Sequence, residues 1–254
     1  MPISPVSEAD SYVAKWIART PALELALLFC PPSQRRPASL WGALCHELDE
    51  SVFDLSDAGV AQTKLAWWGE ELERGSRGEG RHPLVRAWFE LPTARSVPAQ
   101  AWVTVAHAGL RLVADERSPA DSAASVARVQ DYAGELSRIE SLLFGRPTPP
   151  EAVAIERLVA HRLRDSAPAR LPWPLHLRAR HQLPPGDEAP AALRRDYARD
   201  LLPLLQPHGS GWVLRRCITA LTLQRARALA DGGDASRQGH WRNLWTIWRA
   251  ARSA

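Results

Sequence analysis

Apolar residues along the chain recur with the period of a helix. Leu40, Leu44 and Leu48 repeat every four residues, while Ala61, Leu65, Trp68 and Leu72 step by four, three and four. Val126, Val129, Ala133 and Leu136 keep the same period, as do Leu193, Tyr197, Leu201 and Leu204. Each set falls on one side of a helix and predicts a buried stripe. Trp241, Leu244, Trp245 and Trp248 form a further stripe, expected to face the core as the last helix. Arg242, Arg249 and Arg252 flank it, so a helix lying on a membrane surface is the alternative. No short run alternates apolar and polar residues between turn signals, so no strand is expected.

The punctuation supports this reading. Thr20-Pro21, Ser118-Pro119 and Pro149-Pro150 read as helix starts, because proline gives up nothing where a first-turn N–H has no partner. Residues 75–80 read as a surface loop. Leu171-Pro172-Trp173-Pro174 reads as a non-helical elbow. Asp231-Gly232-Gly233 reads as a helix end, opening a linker over 231–240. The expectation is an all-α, single-domain helical bundle covering 1–254, with about nine or ten helices. Residues 1–19 form a flanking segment or first helix, and 183–190 is the best hinge candidate.

Composition narrows the function classes. The chain has 254 residues, 45% of them hydrophobic, enough for a sizeable core. It carries 11 Trp against 3 Tyr and 4 Phe, and Lys15 and Lys64 are its only lysines. A chain so rich in Ala, Arg, Leu and Pro fits a GC-rich bacterial genome. The net charge of +4 is spread and interleaved with acids, so no nucleic-acid partner is expected. Cys30, Cys45 and Cys217 are too few and scattered for a disulfide framework, which fits a reducing cytoplasm. The first twenty residues lack the apolar core of a signal peptide. The expected location is cytoplasmic, with peripheral membrane contact left open by the last helix.

Candidate chemistry gathers on the helix of Leu40, Leu44 and Leu48. Glu47, Glu50 and Asp54 are spaced three and four apart and share a face, with Asp49 beyond it. Carboxylates so placed suit Mg²⁺, or else form a solvated acidic face. Of the adjacent Trp67 and Trp68, one should enter the core and the other meet a neighbouring helix or a cavity wall. No histidine shows zinc-ligand spacing, and no nucleophile-elbow, phosphate-loop or dinucleotide motif occurs.

At these residues the chain resembles the squalene/phytoene synthase family. Arg36-Pro37 ahead of a helix, the acidic helix end, Lys64-Leu65-Ala66-Trp67-Trp68 with Glu71-Leu72, and His82-Pro83-Leu84 carry the likeness. Ala133-Gly134, Leu142-Leu143-Phe144-Gly145, Arg164-Asp165, Leu171-Pro172 and the segment 244–252 continue it in order. The resemblance implies an all-α isoprenoid synthase fold and a prenyl diphosphate or other isoprenoid ligand. In active members, two aspartate-rich motifs hold Mg²⁺ across a cavity while two prenyl diphosphates condense head to head. It implies Glu50, Asp54 and Asp165 as catalytic and metal-ligating residues, and Arg36, Arg164, Trp68 and Arg128 as substrate contacts.

The likeness is incomplete where the chemistry lies. With Arg164 and Asp165 on the family's second motif, His161 takes its asparagine, Pro168 its glutamate and Ala169 its last aspartate. Arg128 stands where active members have tyrosine, and Tyr132 lies one turn away. Mg²⁺ is therefore expected only if an altered site works, and activity is expected to be weak, altered or lost. The alternative is a non-catalytic relative with a protein partner, similar to respiratory complex I assembly factors.

Overall fold

The computed structural model describes residues 7–163, 171–205, 211–233 and 239–253. Each predicted apolar stripe forms a helix, and no strand occurs among the described residues. The first helices are α1 (Glu8–Arg19), α2 (Ala22–Leu28) and α3 (Pro32–Asp49), the last running straight into a π turn, Glu50–Asp54. Then come α4 (Ala58–Ser76), α5 (Pro83–Phe89), α6 (Pro92–Arg95), α7 (Ala99–Ala114), α8 (Ser122–Phe144) and α9 (Pro150–Arg162). The chain continues with α10 (Leu175–Arg180), α11 (Ala191–Leu201), α12 (Val213–Ala230) and α13 (His240–Arg252). The described residues thus hold more helices than expected, because α2, α5, α6 and α10 are too short for periodicity to register.

Local chemistry sets the ends. Asp121, not Ser118, opens α8: its carboxylate accepts from the Ala124 N–H at 2.8 Å and answers a first-turn donor. Gly145 closes the same helix at φ 71°, a left-handed conformation that suits glycine. The Leu171–Pro174 elbow is non-helical, as expected, whereas the expected loop at 75–80 begins only after α4 ends at Ser76. Arg36-Pro37 lies inside α3 rather than ahead of it. The carbonyl that Pro37 leaves unanswered belongs to Ser33, in the first turn of the helix.

The core is one connected cluster of buried apolar side chains, with α4 packed along α7 and α8 along α9. Leu40, Leu44 and Leu48, the stripe from Ala61 to Leu72 and that from Val126 to Leu136 are all buried. Leu204 escapes its stripe because α11 ends at Leu201. The expectation for the last helix is overturned. Trp241, Trp245 and Trp248 point outward, and α13 buries only Ile247.

Candidate functional site: a cavity beside an acidic helix end

The site starts from the π turn after α3. A π turn bonds each residue to the fifth one on, so residues five apart come to share a side. Asp49 and Asp54 both reach His161 of α9 in this way. His161 Nδ1 lies 3.0 Å from Asp54 Oδ1, and its Nε2 lies 3.9 Å from Asp49 Oδ2. The imidazole stacks on Phe53, with ring centroids 4.8 Å apart. Asp49 also accepts from the Tyr132 hydroxyl at 3.0 Å and faces Arg157 Nε at 2.8 Å. Asp54 pairs with Arg19 of α1.

The two glutamates belong to a different group. Lys15 from α1 lies 2.8 Å from Glu47 and 2.7 Å from Glu50, while Lys64 from α4 stands 4.0 and 3.8 Å from them. The only lysines in the chain thus converge on one pair of carboxylates. Burial opposes charge on Glu50, but Lys15, His46 and Lys64 together outweigh it and hold the carboxyl below its ordinary range. Burial also works against the Lys15 ammonium, yet Glu47 and Glu50 raise its pKa overall. His46, 3.8 Å from Glu50, is pushed down by burial and stays neutral more readily.

Beside this wall lies a cavity of about 1010 Å³. Trp16, Trp41, Trp212, Leu214, Ile218 and Leu221 supply apolar lining. Among its charged lining residues, the arginines Arg19, Arg157, Arg194, Arg195, Arg215 and Arg225 outnumber the carboxylates Glu24, Asp49, Glu140 and Glu156. One part is a buried ion network. Arg215 Nε donates to Glu140 Oε2 at 2.9 Å, and the remaining guanidinium nitrogens pair with Glu140 and Glu156. The Trp41 indole donates to Glu140 at 2.8 Å, and Thr219 donates to Glu156 at 2.5 Å. Burial would strip the charge from Arg215, but Glu140 and Glu156 raise its pKa instead. Burial raises Glu156, whereas Arg215 overcomes burial at Glu140 and lowers it.

The expected site residues among those described are therefore dispersed. Glu50 and Asp54 sit in separate ion-pair groups and do not line the large cavity, while Asp49 and His161 do. Arg36 pairs with Asp10 on α1, away from the cavity. Trp68 is buried in the core against His82, and Trp67 is the more exposed of the two. Arg128 faces Asp115 at 3.8 Å and lines a second cavity of about 440 Å³. Tyr132, not Arg128, reaches Asp49 from α8. Arg164 and Asp165, with Pro168 and Ala169, lie outside the described residues. Sequence reasoning missed Glu140, Glu156, Arg157 and Arg215, which sit at ordinary helical positions and acquire meaning only as three helices converge.

A Mg²⁺ cluster needs several oxygen donors free to turn toward metal. Here Glu47, Glu50, Asp49 and Asp54 each face a lysine or arginine of the chain itself. No group of three or more His, Cys, Asp or Glu among the described residues is arranged to hold a metal ion. Among the described residues, the carboxylates of the acidic helix end are thus paired within the chain rather than turned toward one metal position.

The helical bundle around this part-apolar, part-cationic cavity, with no strand among the described residues, has the all-α fold of the isoprenoid synthases. A solved structure described as "Crystal structure of a dehydrosqualene synthase in complex with ligand" shares the fold at a TM-score of 0.64. It is 15% identical and matches over 96% of each chain. Residues 21–137 match the squalene/phytoene synthase family model. The matched stretch contains the acidic helix end and stops before Glu140 and all of α9. No curated protein sequence matches the chain.

Proposed function

We propose that this protein binds a prenyl diphosphate or a similar isoprenoid anion, and that its own cations occupy the wall where active relatives gather metal. The observation that carries this reading is the pairing of Glu47, Glu50, Asp49 and Asp54 with Lys15, Lys64, Arg157 and Arg19. Ionising an allylic diphosphate builds negative charge on the leaving group, and metals and cationic side chains must neutralise it. Arginines already bound to carboxylates do this less well than a metal cluster, so efficient head-to-head condensation is not expected. Binding needs less: an anion among arginines and a hydrocarbon tail against Trp16, Trp41 and Leu214.

The test is calorimetry with farnesyl diphosphate, with and without Mg²⁺, alongside an assay of pyrophosphate release. The expected result is binding that Mg²⁺ changes by no more than about threefold, under ~1 kcal/mol, with negligible turnover. Mg²⁺-dependent turnover on the order of 1 s⁻¹, in the range of ordinary enzymes and abolished in Asp49→Ala or Asp54→Ala, would overturn the proposal. So would the absence of any binding.

A further inference from the structure

The last helix turns its aromatic stripe away from the core. Helix α13 has 13 residues and buries Ile247 alone. Trp241, Trp245 and Trp248 are 80%, 58% and 37% exposed. At about 100° per residue, these three and Arg242, Arg249 and Arg252 fall within one face about 120° wide. No Asp or Glu occurs anywhere in α13. Trp245 stacks on Trp248 with centroids 4.9 Å apart, and the Arg252 guanidinium lies 5.1 Å from the Trp248 ring.

The opposite face holds the helix down through Ile247, Ala250 and Ala251 against the core and through polar contacts. Arg216 of α12 donates to the Ala250 and Ala251 carbonyls at 3.1 Å each. Gln224 donates to Asn243 at 2.8 Å and accepts from Thr246. Small apolar residues and these polar contacts face the protein, while the large indoles, which would complete a core, face out.

We propose that the outer face of α13 docks the protein on the surface of an anionic lipid bilayer. Indoles partition to the headgroup boundary, where an apolar ring and a polar N–H are both satisfied, and arginines beside them meet lipid phosphates. A helix of this length runs only about 20 Å. By itself it offers far less than the roughly 800 Å² each partner gives to a stable protein interface. A planar lipid surface has no such minimum, and an exclusively cationic face complements it. His240 and Asn243 of the same helix line the large cavity, so docking brings one wall of that cavity to the membrane. The docking itself does not depend on the ligand reading above.

The experiment is flotation of the purified full chain with phosphatidylglycerol/phosphatidylcholine vesicles and with phosphatidylcholine alone. Binding at least about tenfold stronger to the anionic vesicles is expected, with a blue shift in tryptophan emission. Trp241→Ser/Trp245→Ser should lose that binding while its circular dichroism and farnesyl diphosphate affinity stay unchanged. Arg242→Glu/Arg249→Glu should lose the preference for anionic lipid. Equal binding by wild type and the tryptophan variant would overturn the proposal, as would no vesicle binding at all. Light scattering that shows self-association abolished by the same tryptophan substitutions would also overturn it, since a second copy would then cover the face.

Discussion

His46 and His82 are both pushed below their ordinary pKa of 6.5 by burial, although nearby carboxylates pull the other way. Each therefore takes up its proton less readily in the folded protein than in the unfolded chain. Below 6.5 the unfolded state binds more protons than the folded one, so stability must fall as pH falls through that value. Urea titrations at about pH 7 and about pH 5 should show a lower midpoint in acid. The His46→Gln/His82→Gln variant should reduce that difference, and an unchanged difference would remove these histidines from the cause. Glu50 adds a second loss at lower pH. Its carboxyl is held below 4.5, so its contribution is present above that value and disappears as pH drops through the shifted one.

Among the elements, the π turn and α13 depart most from what periodicity foretells. A regular helix through Glu50–Asp54 would group Glu47, Glu50 and Asp54. The extra residue in the turn sends Asp54 to His161 and leaves the glutamates to the lysines. Helix α13 is fastened by Arg216 and Gln224 as well as by Ile247, Ala250 and Ala251 against the core. Arg216→Ala should therefore raise amide hydrogen exchange across α13 by roughly tenfold or more, leaving α4 and α7 unchanged. Uniform exchange in both proteins would show that Arg216 is not what holds the helix.

For the molecule as a whole, the Glu140–Arg215–Glu156 network joins α8, α9 and α12 at the centre of the bundle. Removing one partner of a buried ion pair strands the others without water. Arg215→Ala should cost ~3–5 kcal/mol in urea unfolding. Glu140→Gln/Glu156→Gln/Arg215→Met should recover much of that loss, because no uncompensated charge remains. A triple variant less stable than Arg215→Ala would mean that the network also sets how the three helices pack. The match to the family covers residues 21–137 and the fold likeness nearly the whole chain, so the bundle extends well beyond the stretch that the family model matches.

Periodicity alone sufficed for the all-α architecture and for the buried stripes of α3, α4 and α8, because burial of one helical face acts locally and repeats every turn. The ordered motifs from Arg36 to Leu84 likewise made the resemblance to the family model legible. Pairing across the fold was not legible. Lys15 with Glu47, Tyr132 with Asp49, His161 with Asp54 and Arg215 with Glu140 join positions far apart in the chain, and no local signal encodes them. The direction of the α13 tryptophans was equally hidden. A helical stripe says which residues lie together, but only the packing of neighbouring helices decides whether that side meets the core or the water.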